Sequence, residues 1–328
     1  MITPSYGLTA TERVLPSLAL DWTTGLAQPG VDVVRAGVAT FVGSNGLIQS
    51  ASVNTQRIDW ATGTSGLLVE ESRTNALLNS LIDGTSLATQ LVTVTAVART
   101  LSFYGTGTIV LSGAHSATAV GDGAYPTRTI LTFTPSAGVL TLTVTGTVQF
   151  AQLEIGVFPT SYIPTAATAV TRNADEATMT GTNFSDWYNP TEGTFSIDCI
   201  INTKPAGQIL IEMRGGTSAN RFQYQRDSSS NTLRYLSIVS SSITVNLTKT
   251  STFVNDVASI TSAYKLNNYG VAVNGGVTTT DTSGGVPVVD RMRIGATVAG
   301  TAPSSGWYQK LLYYPQRLTN AEIQAFSK

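Results

Sequence analysis

The chain has 328 residues, a length that sets two or three domains as the expectation. Charged residues make up 12% of it against 42% apolar ones, where ordinary soluble domains carry about 25% charge. A formal net charge of −1 supplies no field to draw nucleic acid or an anionic membrane surface, and no window reaches the roughly 20 apolar residues of a membrane-crossing helix. Surface polarity must therefore come from Thr, Ser, Asn and Gly. Thr is a strand former because its branched Cβ fits a pleated surface. With 30 Gly and 12 Pro to make turns, the composition reads as all-β. The start, Met1-Ile-Thr-Pro-Ser-Tyr6, has neither a basic region nor an apolar run; it reads as no secretory signal, hence a product made in a cytoplasm.

Residues 1–78 alternate short apolar runs with turn dipeptides. Asn45-Gly46, flanked by Ala39 to Val42 and by Leu47-Ile48, predicts a hairpin. Gly66-Leu-Leu-Val69 predicts a further strand, followed by Glu70-Glu-Ser-Arg73-Thr-Asn75. Elements this short make a poor core of their own, so the segment is expected to pack on something larger. Residues 79–168 show the two-residue period of half-buried strands: Val92 and Val94 interleave with Thr93 and Thr95, and Leu140, Leu142 and Val144 with Thr141, Thr143 and Thr145. Strands at short spacing with Gly-rich turns predict a sandwich.

Residues 169–328 repeat the theme, with nine predicted strands between Thr194 and Tyr314. Val271-Ala-Val-Asn274-Gly275-Gly276-Val277 is the sharpest hairpin signal, since a type I′ turn needs positive φ. Along Trp307 to Tyr314 the alternation places Trp307, Leu311 and Tyr313 on one face, expected to be core. Thr319-Asn-Ala-Glu322 is a capping box, so one short C-terminal helix is predicted there.

Three stretches carry resemblances. Tyr6-Gly-Leu-Thr-Ala-Thr-Glu-Arg13, Leu18-Ala-Leu-Asp-Trp-Thr-Thr-Gly25 and Gly66 to Asn75 resemble the N-terminal module of phage fibre and head-spike proteins. Ala151-Gln-Leu-Glu-Ile-Gly156 with Pro159-Thr-Ser-Tyr-Ile-Pro164 is similar to the closing strand of carbohydrate-binding jelly rolls of phage appendages. Gly193-Thr-Phe-Ser-Ile197, Val273-Asn-Gly275 and Trp307 to Tyr314 followed by Leu318 to Ile323 resemble a concanavalin A-like, laminin-G-type domain. Together they imply an attachment segment (1–78) followed by two β-sandwiches (79–168 and 169–328). The implied role is a structural component of a bacteriophage virion, as a head fibre, spike or decoration, with a tail fibre or receptor-binding adhesin as the alternative and a polysaccharide depolymerase as the last-ranked one. The implied partners are capsid or tail proteins, copies of itself with a trimer favoured, and a host-surface glycan. On that reading Tyr6, Trp22, Trp60, Arg73 and Asn75 are attachment residues, and deleting the segment should leave soluble C-terminal domains.

Catalytic equipment is sparse. His115 and Cys199 each stand alone in the sequence, so a second imidazole for a zinc site and a disulfide partner are both missing. Cys199 lies in an apolar strand and reads as a small buried hydrophobe, His115 as a turn residue. Glycosidases set two carboxylates a few ångströms apart. Here Glu70-Glu71 and Asp175-Glu176 are adjacent and point to opposite faces if extended, and Asp198 and Glu212 could meet only through the fold. The expectation is no enzyme and no required cofactor, although Ca²⁺ could find oxygens at Asn173-Ala-Asp175-Glu176, Asp122 or Asn255-Asp256. Sugar binding by sandwiches uses exposed aromatic faces; Trp187-Tyr188 is the candidate, weighed against packing at the sandwich edge. Arg221, Arg226, Arg234, Lys249 and Lys265 are scattered and form no basic stripe.

Overall fold

The computed structural model describes residues 14–80, 86–201, 207–227, 232–250 and 257–328; Tyr6 and the Asn255-Asp256 pair lie outside them. The described chain is nearly all β, arranged as two sandwiches. Residues 90–155 form the smaller one. Its four-stranded sheet joins Gln90–Val94, Thr108–Gly113, Ala117–Val120 and Gly138–Thr145, and its three-stranded sheet joins Arg99–Gly105, Gly123–Phe133 and Gln149–Ile155. Inward residues of both sheets, among them Leu101, Phe103, Ile109, Leu140 and Leu142, share one buried cluster. In the four-stranded sheet the outward positions include Thr93, Thr118, Thr143, Val110 and Val139, following the two-residue period.

The larger sandwich packs a sheet of eight described strands on one of seven. Tyr224 and Phe195 meet across it at 5.9 Å, and Phe222 meets Tyr264 at 4.6 Å. All nine strands predicted after residue 190 are present within a few residues of their expected ends. The helix Asn320–Phe326 follows Thr319, whose side chain and that of Glu322 complete the reciprocal capping box. Asn274 and Gly275 both take positive φ, and Gly276 N–H closes the turn on Val273 C=O at 2.9 Å. Pairing resumes only at Val271 with Thr279, and Gly275 N–H bonds to Ser327 C=O at 2.5 Å, just past the C-terminal helix.

Residues 14–78, the described part of the first segment, do not stand apart from this body. Leu18–Asp21 and Gly66–Val69 both pair with Gly306–Tyr314, along different stretches of its free edge. Ile58–Asp59 extends the same sheet beyond Gly66–Val69. Asp32–Val34 pairs with Glu176–Thr180 at the edge of the opposite sheet. Leu20, Trp22, Val31, Val33, Leu67 and Val69 accordingly belong to the main core. The sheets thus cross the boundary expected at residue 78: four strands of the segment complete the larger sandwich, and the smaller one rises between them.

Where the three parts meet, five arginines and carboxylates are buried together. Asp175 takes Nη1 of Arg35 at 2.8 Å and Nη2 of Arg57, while Arg57 Nη1 reaches Glu70 at 2.8 Å. Arg172 Nη2 lies 3.6 Å from Glu70. Ser161, from the smaller sandwich's closing loop, donates its N–H at 2.8 Å and its hydroxyl at 2.6 Å to Glu70. Burial pushes the Glu70 carboxyl upward, but Arg172 and Arg57 prevail and hold it at about 2. A group so lowered stabilises the fold above its unfolded value near 4.5 and loses that contribution as pH falls through about 2. The difference corresponds to about 3 kcal/mol. The stability gap between wild type and Glu70→Gln, followed by urea titration, should therefore narrow as pH drops from about 4.5 to about 2; a gap constant across that window would contradict it.

Candidate functional site

Most residues singled out in the sequence lie inside the protein. Trp187 is 6% exposed, edge-on to Phe184 at 4.8 Å and Tyr313 at 4.9 Å, with its indole N–H on Asn183 C=O at 2.8 Å. Tyr188 packs half-buried against the same rings. Such a pair offers no free face for a sugar to stack on, so packing at the sandwich edge describes these two. Trp22 is fully buried, its N–H on Gln56 at 3.0 Å. Asn75 is a saturated buried hub: its NH₂ donates to the carbonyls of Ala151 and Ile163, and its oxygen accepts from the N–H of Leu77 and Leu153. Arg73 lies over the Phe158 ring at 4.7 Å and binds Glu71. These contacts hold the segment to the sandwiches and are turned inward.

The remaining candidates sort as simply. Asp175 is committed to arginines, which removes it from the calcium candidates. Asp198 and Glu212 stand in different sheets. Among the described residues no three His, Cys, Asp or Glu side chains gather as a metal site. His115 stacks on Phe133 at 4.5 Å. Cys199 is fully buried and its thiol is pushed up by burial.

Trp60 is the exception among the expected attachment residues. It is half-buried and lines an aromatic cleft of about 450 Å³ at the junction of the two sandwiches. The floor and walls include Phe41, Tyr104, Tyr125, Tyr162 and Trp307, with Arg128 at one side. A second hollow of about 440 Å³ continues it under the hairpin, sharing Thr40, Ile48, Tyr125 and Tyr162 and adding Phe150. The hairpin Ala39–Val42 to Ile48–Ala51 that roofs this groove is the one predicted from Asn45-Gly46.

Local backbone irregularities aim the rings. Gly306–Tyr314 carries a bulge against its partner: Lys310 pairs with Asp198 but Tyr308 with Cys199, so Gln309 is extra. One extra residue reverses side-chain parity. Tyr308 therefore joins Leu311 and Tyr313 in the core, and Trp307, expected there, turns out into the cleft. Phe150 sits at φ +48°, in a register shift between Gln149 and Gln152. Left-handed backbone at a bulky residue costs of order 1–3 kcal/mol and clusters at functional sites. Its ring lies 5.2 Å from Tyr162 and 6.0 Å from Tyr104, and Tyr104 lies 5.0 Å from Tyr125.

Asp59 pins the cleft from beneath. It accepts from Trp307 Nε1 at 2.7 Å, Ala61 N–H at 2.8 Å and Val42 N–H at 2.7 Å. Burial raises its carboxyl above the ordinary value, against those three donors, which favour the charged form. Both oxygens are thus spoken for, as are those of Glu70. The Arg128 guanidinium donates to Thr160 C=O and Ser102 Oγ, each at 2.8 Å. The chemistry available is that of flat aromatic faces with fixed polar edges.

No family model matches the chain, and no curated protein matches it in sequence. Solved structures do show partial likeness. The CBM40 of the Ruminococcus gnavus IT-sialidase, bound to α2,6-sialyllactose, aligns at 16% identity over 43% of this chain and 85% of its own, with a TM-score of 0.38. NanB sialidase from Streptococcus pneumoniae, as a K499G mutant, aligns at 13% identity over 46% of this chain and 26% of its own, with a TM-score of 0.38. A botulinum neurotoxin type C structure, whose cell entry depends on two ganglioside molecules, aligns at 11% over 47% of this chain and 39% of its own, with a TM-score of 0.37. Each likeness spans less than half of this chain.

The cleft is not legible locally, because its rings come from six separate stretches of the chain. The one local signal is Trp60 itself, an aromatic beside a turn-rich run.

Proposed function

We propose that this protein is a non-enzymatic component of a bacteriophage particle, and that its Trp60 cleft binds a glycan of the host surface. The observation that carries the glycan reading is the groove: two half-buried tryptophans and further rings facing one solvent-open hollow, with Asp59 and the backbone fixing their orientation. Sugar rings stack on such faces through their apolar C–H surfaces, while a few polar groups set the pose. Asp59 and Glu70 hold their oxygens in structural hydrogen bonds, which favours recognition over hydrolysis. A glycan array should give a defined set of ligands, and Trp60→Ala should weaken them at least about tenfold, the order expected for one stacked ring. The variant should still melt in one cooperative transition, since Trp60 is only half-buried and belongs to no buried core cluster. Binding unchanged in Trp60→Ala, or no binding to any glycan, would sink the reading.

The particle reading rests on the resemblance of residues 6–78 to phage head-spike and head-fibre modules. A head fibre, spike or decoration, self-associating as a trimer on capsid or tail proteins, is the form it takes, with a tail fibre as the alternative. Imaging of intact particles should show threefold density outside the shell or tail, labelled by an antibody to this chain; particles without that label would remove the assignment.

A further inference from the structure

The Trp60 cleft and the hollow that continues it lie end to end beneath one hairpin, and hydrogen bonds tie each end to a different point of its first strand. Trp60 N–H bonds to Val42 C=O at 2.9 Å. Asp59, which takes Val42 N–H, holds Trp307 at the same end, near the turn. Two residues back, the Thr40 hydroxyl donates to Tyr162 C=O, and the Tyr162 ring lies 5.2 Å from Phe150. Thr40 and Val42 are about 7 Å apart along an extended strand. The first hollow runs on to Gly63 and the second to Pro164. The groove is therefore longer than one sugar ring. Trp60 and Trp307 stand at one end and Phe150 at the other, with Tyr125 lining both hollows.

Charge restricts what can lie there. Among the described residues the first hollow is lined by three charged side chains, Asp59, Glu70 and Arg128, and the second by none. The carboxylate oxygens are engaged, and Arg128 donates both Nη groups to Thr160 C=O and Ser102. Its Nε has no partner but is buried out of reach of solvent. Thr160 in turn donates its N–H and hydroxyl to Glu154, which feels the Arg128 charge. Around the groove Arg35, Arg57, Arg128 and Arg172 meet Asp59, Glu70, Glu154 and Asp175, so neither sign is in excess. An ionised group on a ligand would be desolvated there without a counter-charge. The second hollow instead presents the uncharged polar residues Gln49, Ser50 and Tyr125, which suit neutral hydroxyls.

We propose that the groove takes an uncharged, linear oligosaccharide laid along the hairpin, with one ring on the two tryptophans and another on Tyr125 and Phe150. The two hollows together approach the upper end of the ~300–1,000 Å³ that encloses a drug-sized ligand, room for about three sugars. This inference deepens the glycan reading of the Trp60 cleft and rests on it.

The test probes the full chain on a glycan array that carries neutral and acidic glycans, from single sugars to long chains. The best-bound glycan, its shortened forms and a counterpart with one added carboxylate are then titrated calorimetrically. The bound glycans should be uncharged chains, and removal of sugars from the best of them should weaken it at least about tenfold. The added carboxylate should also weaken it at least about tenfold. Phe150→Ala should weaken the full-length glycan at least about fivefold and leave the shortest form that still binds unchanged. Trp60→Ala should weaken both. Affinity independent of chain length, acidic glycans bound as well as neutral ones, or a Phe150→Ala effect equal at every length, none included, would overturn the inference and leave the glycan reading standing. A blank array removes both. Should Phe150→Ala fail to fold, the length and charge comparisons on wild type decide.

Discussion

Replacing Asp175 with alanine is expected to lower the unfolding free energy by about 3–5 kcal/mol, the loss that follows when one partner of a buried ion pair is removed. Asp175 meets Arg35 and Arg57 and also accepts the Glu70 N–H at 2.9 Å. Both guanidinium groups are wholly buried, so the variant strands two desolvated cations. Arg35 would retain the carbonyls of Gly37, Ser52 and Thr55, and Arg57 would retain Glu70 and Thr40 C=O. Those bonds keep the loss finite. A urea midpoint lowered at unchanged slope is the signature; a loss under about 1 kcal/mol would mean the network is not coupled to folding. A hydrophobic replacement of the whole set is a different experiment, because well-packed apolar residues can match a buried ion cluster.

The second large effect concerns the supposed independence of the C-terminal sandwich. Residues 169–328 made alone should give no cooperative unfolding transition, contrary to the expectation that removing the first segment leaves soluble domains. The strand Gly306–Tyr314 would lose both Leu18–Asp21 and Gly66–Val69 from one edge. An open, apolar edge invites aggregation. The core would also lose Leu20, Trp22, Val31, Val33, Leu67 and Val69. At about 1.5–3 kcal/mol for each buried side chain, the loss is roughly 10 kcal/mol or more. That equals the whole stability of an ordinary domain, about 5–15 kcal/mol. Supplying residues 14–80 as a separate chain should recover a transition. A soluble 169–328 fragment melting cooperatively by itself would refute this account of the fold.

These two expectations show how far local pattern reaches. The all-β class, the hairpin at Asn45-Gly46, the alternating Thr strands of the smaller sandwich and the capping box at Thr319 were legible, because each depends on neighbours within a few residues. Partner choice was not. Leu18-Ala-Leu-Asp21 reads as a short strand wherever it goes, and only the fold shows that it lies beside Leu311 and Tyr313. The smallness of the segment's elements did signal that they needed a larger body; that body is the remainder of this same chain.

The candidate sites divide along the same line. Residue type singled out Trp187, and the resemblance of the first segment singled out Trp22, Arg73 and Asn75, yet burial, a sum over many distant contacts, turned them inward. Trp307 was placed in the core by simple alternation, and one bulged residue at Gln309 moved it to the cleft. No local motif announces such a bulge, since it is set by the mismatch between two paired strands. Composition and two-residue periodicity determined that this protein is made of strands. The tertiary structure alone decided which of its aromatic and arginine side chains meet at an open hollow, because strand pairing brings together residues more than two hundred positions apart.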